Sequence, residues 1–222
     1  MSEEDHGLED ADMAEVIALI VHDLRNPIAT ISANISYIRM LAQLDDPDGQ
    51  AALDDVQDAL LGLTRGLEQV GWIGGWIGGL APVGVSPGDA REAVREAVEQ
   101  VGGGVEVELP NDAVHVQSAG APLCKLVELF LRNAKRHGRA RVALSPDGVI
   151  EIRDDGPAVG LDLRERVFSM AGQRELKTRR DGRYERVVGL LAARALADTL
   201  GAQVEADGED GAAVFRIRVR AT

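Results

Sequence analysis

Apolar residues recur at Ile17, Val21, Leu24, Ile28, Ile31, Ile35 and Ile38 in alternating steps of four and three, the heptad spacing of a helix packed in a bundle. A second series, Leu53, Val56, Leu60, Leu63, Leu67 and Val70, repeats that spacing after a turn built from Asp45, Asp46, Pro47, Asp48 and Gly49. Each stripe is narrow. The pair therefore predicts a helical hairpin over residues 12–70 that doubles into a dimeric four-helix bundle, with Leu24, Ile28, Ile31, Leu60 and Leu63 in its core. Beyond Pro87 the period changes. Helices are predicted over residues 89–100, 121–137 and 186–200, and strands over 105–109, 114–116, 140–144, 149–153, 203–206 and 214–219. Helices laid over a mixed sheet make the second part, residues 87–222, an α/β sandwich and the whole chain an α+β protein.

Two stretches fall outside this pattern. Residues 1–11 are acidic and read as a disordered tail, with no signal peptide at the start of the chain. Residues 71–86 contain the tandem GWIGGWIGG and Pro82, which read as a hinge, with Trp72 and Trp76 packing it against a neighbouring domain. That run is too broken by glycine and proline to predict a membrane span.

Composition narrows the function. At 222 residues, 45% of them apolar, the chain has room for a hairpin and one ordinary domain. A formal charge of -13 argues against nucleic acid or an anionic membrane as partner, and no membrane insertion is expected. The single cysteine, Cys124, sits on an apolar helical stripe and suits a reducing cytoplasm.

The candidate chemistry on the first helix is His22, which follows the core position Val21 and so faces solvent. An exposed imidazole is largely neutral at pH 7, and its ring nitrogen can attack an electrophilic phosphorus. Asp23 is next to it, Asn26 lies one turn on, and Pro27 cannot donate to the Asp23 carbonyl, so a bend is expected there. The whole string HDLRNPI resembles the phosphoacceptor box of bacterial two-component sensor histidine kinases. The resemblance implies His22 as phosphoryl carrier, with Asp23 orienting the ring and Asn26 placing a water or partner.

The second part resembles the ATP-binding domain of the same kinases, the fold shared with gyrase and Hsp90. Leu131 to His137 looks like the family's asparagine box. By that resemblance Asn133 would help hold magnesium, and Arg136 and His137 would lie near phosphate and ribose. Ile152 to Gly160 resembles the first glycine box, which implies Asp154 as acceptor for the adenine amino group and Gly156 as a matching glycine. At the second glycine box, aligned with residues 185–191, only Gly189 matches.

Departures from the family pattern are several. Leu129 stands where a polar residue normally precedes the asparagine by one turn, and Glu128 is one residue out of register. Ala158 replaces a glycine of the first box, adding a methyl where backbone and ligand approach. In the second box Glu185 and Val187 stand at glycine positions, and Val188 adds a second β-branched residue beside them. ATP and magnesium are the cofactors that the resemblance implies, and these departures predict weak or absent binding. Between Phe168 and Val187 lie Arg174, Lys177, Arg179, Arg180, Arg183 and Arg186. They suit phosphates, a solvated loop or an acidic receiver domain equally well.

The reading is a cytoplasmic homodimer of His-to-Asp phosphorelay, with a response-regulator receiver domain as partner and an upstream kinase or sensor protein as a further one. An active ATP-dependent histidine kinase and a non-catalytic scaffold for a kinase or regulator remain alternatives.

Overall fold

The computed structural model describes residues 3–41, 47–80, 84–164, 166–169, 187–209 and 212–222. The chain divides at Gly78/Gly79 into two compact units.

The first unit is a pair of helices, α1 (Glu3–Leu41) and α2 (Pro47–Ile77). Proline fits the first turn of α2, where its missing N–H would have had no helical acceptor. The seam follows the predicted heptads: Val21, Ile28 and Ile35 of α1 bury against Leu60 and Leu67 of α2, with Ile17, Leu53 and Val70 packed alongside. An Arg39–Asp54 ion pair ties the two helices. Pro27 lies inside α1 and offers no N–H to the carbonyl of Asp23.

Two expectations need correction here. Residues from Glu3 onward are helical, where the sequence reading had a disordered tail over 1–11; acidic side chains near a helix N-terminus interact favourably with its dipole. Most of the GWIGGWIGG segment is also helical, since α2 runs to Ile77, so Trp72 and Trp76 sit on α2 rather than in a hinge. The reason is close approach. An ideal Cβ on Gly74 would meet Ile17 Cγ2 at 2.6 Å, and one on Gly71 would lie 3.9 Å from Val21 Cγ1. Gly74 lets α2 come near α1, which offsets its poor helix propensity of about 1 kcal/mol, whereas at Gly71 a Cβ would make only an ordinary contact.

The second unit begins with β1 (Ser86–Asp89), then α3 (Ala90–Val101), β2 (Val105–Glu108), β3 (His115–Ala119), α4 (Ala121–Arg136), β4 (Ala140–Leu144) and β5 (Val149–Pro157). It closes with α5 (Val187–Thr199), β6 (Gln203–Glu209) and β7 (Ala212–Arg218). Five strands form one sheet in the order β2-β4-β5-β7-β6. Only β2 and β4 are parallel; the other pairs are antiparallel. A separate antiparallel pair joins β1 to β3, and the chain end lies beside it, with Gln117 N–H donating to Arg220 O at 2.9 Å. Strand β1 is absent from the sequence reading because Pro87 and Gly88 disfavour a strand.

Helix α4 buries Leu123, Cys124, Leu126, Val127, Phe130, Leu131 and Ala134. Phe130 meets Phe215 of β7 with ring centroids 5.2 Å apart, and Phe168 completes the group at 6.3 Å and 6.5 Å. Burial pushes the Cys124 thiol up to about 12, which makes it core rather than a nucleophile. Asp89 caps α3, accepting from the Arg91 N–H at 3.0 Å and the Val114 N–H at 3.1 Å. At the other end of α3, Lys135 Nζ donates to the carbonyls of Val101, Gly102 and Gly103, and Arg132 Nη2 to that of Gln100. Cations at a helix C-terminus complement its dipole.

Candidate functional site

His22 projects from α1 with 74% of its side chain exposed, one residue after the buried Val21. Its Nδ1 lies 3.2 Å from Asp23 Oδ1. A carboxylate only accepts, so this contact favours the tautomer with hydrogen on Nδ1 and leaves the Nε2 lone pair outward. Asn26 is exposed one turn further along. The Thr30 hydroxyl donates to the Asn26 carbonyl at 3.0 Å, leaving the Asn26 amide for other contacts. The three candidates of the first helix thus share one solvent-facing patch.

In the second unit the asparagine box occupies the last two turns of α4, which ends with His137 as its C-cap residue. Arg136 is exposed, His137 and Asn133 half-buried. The Asn133 Nδ2 is buried and, among the described residues, is the one buried side-chain polar atom without a hydrogen-bond partner. Leaving a buried donor unsatisfied costs about 1–3 kcal/mol, and this donor suits an incoming oxygen acceptor. A cation would take Oδ1 instead.

Glu128 does not substitute for the missing polar neighbour. Its carboxylate is engaged by Lys125 Nζ at 2.8 Å and Arg132 Nε at 2.7 Å. Burial raises its pKa, but these two cations more than offset that and hold it below the usual range. No group of three or more His, Cys, Asp or Glu is placed to bind a metal among the described residues.

Asp154 stands on the central strand β5 at 2% exposure, and its Oδ1 accepts the Gly156 N–H at 2.8 Å. Its neighbours across the ladder are Ala140 of β4 and Ala213 of β7. The turn after His137 brings the end of α4 to this strand. An ideal Cβ on Gly138, whose φ is +134°, would lie 3.0 Å from the Asp155 Cβ. Arg139 Nε donates to Asp155 Oδ2 at 3.0 Å and holds that carboxyl below its usual range. The structure therefore brings the Asn133–Arg136–His137 end of α4 and the Asp154–Gly156 end of β5 to one end of the sheet's strands.

Gly189 lies in the first turn of α5, and no described residue comes within 4 Å of where a Cβ would be. Ala158 is placed differently from expectation. Its methyl is turned toward β6, where an ideal Cβ on Gly208 would lie 2.6 Å from it. The basic run from Arg174 to Arg186, and Glu185, lie outside the described residues. Arg164, Asp207 and Gly208 were not singled out from sequence, because their partners are up to 44 residues away.

Comparison with known proteins agrees with this layout. Residues 119–222 match the family model described as histidine kinase-, DNA gyrase B- and HSP90-like ATPase. The methanogenesis regulatory histidine kinase FilI of Methanothrix harundinacea is 25% identical over 230 residues, an alignment covering 91% of this chain and 24% of that protein. The crystal structure of full-length ShkA in complex with AMPPNP superposes with a TM-score of 0.63 at 17% identity, covering 95% of this chain and 47% of that one. The chain thus spans about a quarter of one relative and about half of the other. No described helix is long and apolar enough to cross a membrane. Residues 119–222 form an ATPase domain of the histidine kinase, gyrase and HSP90 type, and the chain as a whole is similar to two-component histidine kinases.

Proposed function

We propose that this protein is a dimeric phosphorelay component that carries a phosphoryl group on His22 and exchanges it with an aspartate of a response-regulator receiver domain. The observation that carries the reading is the His22–Asp23 pair on an exposed face of α1, where Asp23 engages Nδ1 and so leaves Nε2 as the nitrogen for reaction. In the transfer, the Nε2 lone pair attacks the phosphorus of an aspartyl phosphate, the P–O bond to the carboxylate breaks, and the carboxylate leaves as an anion. Asp23 retains its hydrogen bond to Nδ1–H and supports the positive charge that develops on the ring. The reverse sequence regenerates the aspartyl phosphate. Asn26 is close enough to orient the incoming group or a hydrolytic water.

Dimerisation is supported by apolar rows that the hairpin does not cover: Leu24, Ile31 and Ile38 on α1, and Val56 and Leu63 on α2, all 44–52% exposed. Each row follows the seven-residue step of the buried seam, as a four-helix bundle requires.

A second reading, an ATP-dependent histidine kinase, is favoured by the unpartnered Asn133 Nδ2 and the buried Asp154. These residues fit a nucleotide: Asp154 and Gly156 on the adenine side, with Asn133, Arg136, His137 and Gly189 toward ribose, phosphates and magnesium. When bound, ATP would supply the phosphoryl group. The departures at Leu129, Glu185 and Val187 rank phosphorelay without ATP first. Incubation with labelled ATP, then with a phosphorylated receiver domain, separates the readings. The phosphorelay reading expects acid-labile label only from the receiver, lost in His22→Gln while Asn26→Ala alters transfer or dephosphorylation. Label from ATP alone selects the kinase, and label surviving His22→Gln rejects His22. No label from either source leaves the scaffold.

A further inference from the structure

We propose that Arg164 is a positioning residue: it docks the loop that follows Asp154 onto the end of β6 through protein groups alone, so that this wall of the nucleotide-type site holds its place without a bound nucleotide. The loop from Pro157 to Ser169 leaves β5 and crosses to the β6–β7 end of the sheet. Its apolar residues Val159, Leu163, Val167 and Phe168 are buried, which seats one side of the crossing. Arg164 secures the other. Its Nε donates to the Val159 carbonyl at 3.1 Å, its Nη2 to the Gly208 carbonyl at 3.0 Å, and its Nη1 pairs with the Asp207 carboxylate. One guanidinium thereby joins an acceptor of its own loop to two acceptors of a strand 43 and 44 residues away.

The partner groups are themselves fixed. Asp207 also accepts the Gly208 N–H at 2.8 Å and Arg216 Nη1 at 3.0 Å. Arg216 Nε reaches Glu151 at 2.8 Å, and Glu151 accepts from Arg153 at 2.6 Å. The ion-pair chain runs from the loop across β6, β7 and β5, in contrast to an isolated surface pair, which contributes little. The Gly208 N–H and the cations hold the Asp207 carboxyl below its usual range.

Close approach at Gly208 completes the clasp. An ideal Cβ there would lie 2.6 Å from the Ala158 Cβ and 3.1 Å from Arg164 Nη2. The methyl that Ala158 adds to the glycine-box pattern thus occupies space that Gly208 leaves open. A lysine in place of Arg164 has one donor centre and cannot span these three acceptors at once.

The test is hydrogen exchange on the full chain, without nucleotide and with magnesium-AMPPNP as probe. In the unmodified chain the amides of 158–164 should be protected without nucleotide and change little when it is added. Arg164→Ala should speed their exchange about tenfold or more while α3 and β4 keep theirs, and Arg164→Lys should not restore it. Gly208→Ala alone should behave like Arg164→Ala, whereas Ala158→Gly combined with Gly208→Ala should return the protection, because one methyl has only moved across the contact. Equal exchange in Arg164→Ala and the unmodified chain would overturn the proposal. So would a loop that is unprotected until AMPPNP is added. None of these readouts involves His22, so the phosphorelay reading stands or falls separately.

Discussion

The helical hairpin and the ATPase-type domain use apolar residues in opposite ways. In the domain, Phe130, Phe168 and Phe215 close a core at which helix and sheet meet, and the charged groups around it pair among themselves. In the hairpin one seam is buried while Leu24, Ile31, Ile38, Val56 and Leu63 remain open, and the reactive candidate stands exposed with one acidic neighbour. A finished core needs no second chain; a half-covered pair of helices does. The proposed phosphotransfer and dimerisation both draw on this open surface of the smaller unit, while the larger unit holds a closed core.

The largest effect expected from breaking this contrast is in the domain core. Phe215→Ala removes a fully buried ring between two others and should destabilise that unit by about 3–5 kcal/mol, read by chemical denaturation. In the hairpin the same loss of apolar surface should act on association instead. Ile31→Lys with Leu63→Lys should leave helicity in place and weaken dimerisation by about tenfold or more, since burying each such side chain contributes roughly 1.5–3 kcal/mol. Sedimentation showing an unchanged dimer in the double variant, or a monomer in the unmodified chain at micromolar concentration, contradicts it.

A smaller effect sharpens the contrast through pH. The Arg91 hydrogen bond holds the Asp89 carboxyl at about 2, from an ordinary value of 3.8. A carboxyl depressed on folding contributes stability in full above its unfolded pKa and loses it as pH falls toward the folded one. Asp89→Asn keeps the helix cap, since asparagine caps about as well as aspartate, but removes the charge that pairs with Arg91 and should therefore cost about 1 kcal/mol near neutral pH, the scale of a hydrogen bond. The difference from the unmodified chain should shrink between about pH 4 and pH 2. A pH-independent difference would show that the ion pair contributes nothing.

Much of this arrangement was legible in the chain. The heptads identified the seam residues Ile28 and Leu60, and alternation identified strand β4 over its full length, because buried periodic runs carry their own signal. The meeting of the end of α4 with β5 was legible through Asn133, Asp154 and Gly156, which belong to short continuous motifs. What escaped was set by contacts between distant segments. Gly74 reads as a helix breaker until Ile17 is seen against it, and the acidic start of α1 reads as disorder because charge and helix-terminus preference look alike in a sequence. Ala158 reads as an intrusion upon a ligand, whereas its methyl faces Gly208, fifty residues on. Arg164 belongs to no motif at all.

Pro27 gives α1 a mechanical property that its hydrophobic pattern does not suggest. A helix is a rod stiffened by its rungs of hydrogen bonds, and the rung to the Asp23 carbonyl is missing one residue after His22. Val21 and Ile28 clamp the rod on either side of the gap. Flexure is thereby confined to the turn that carries His22, and under the proposed function the imidazole could swing toward a partner while the seam on both sides stays seated.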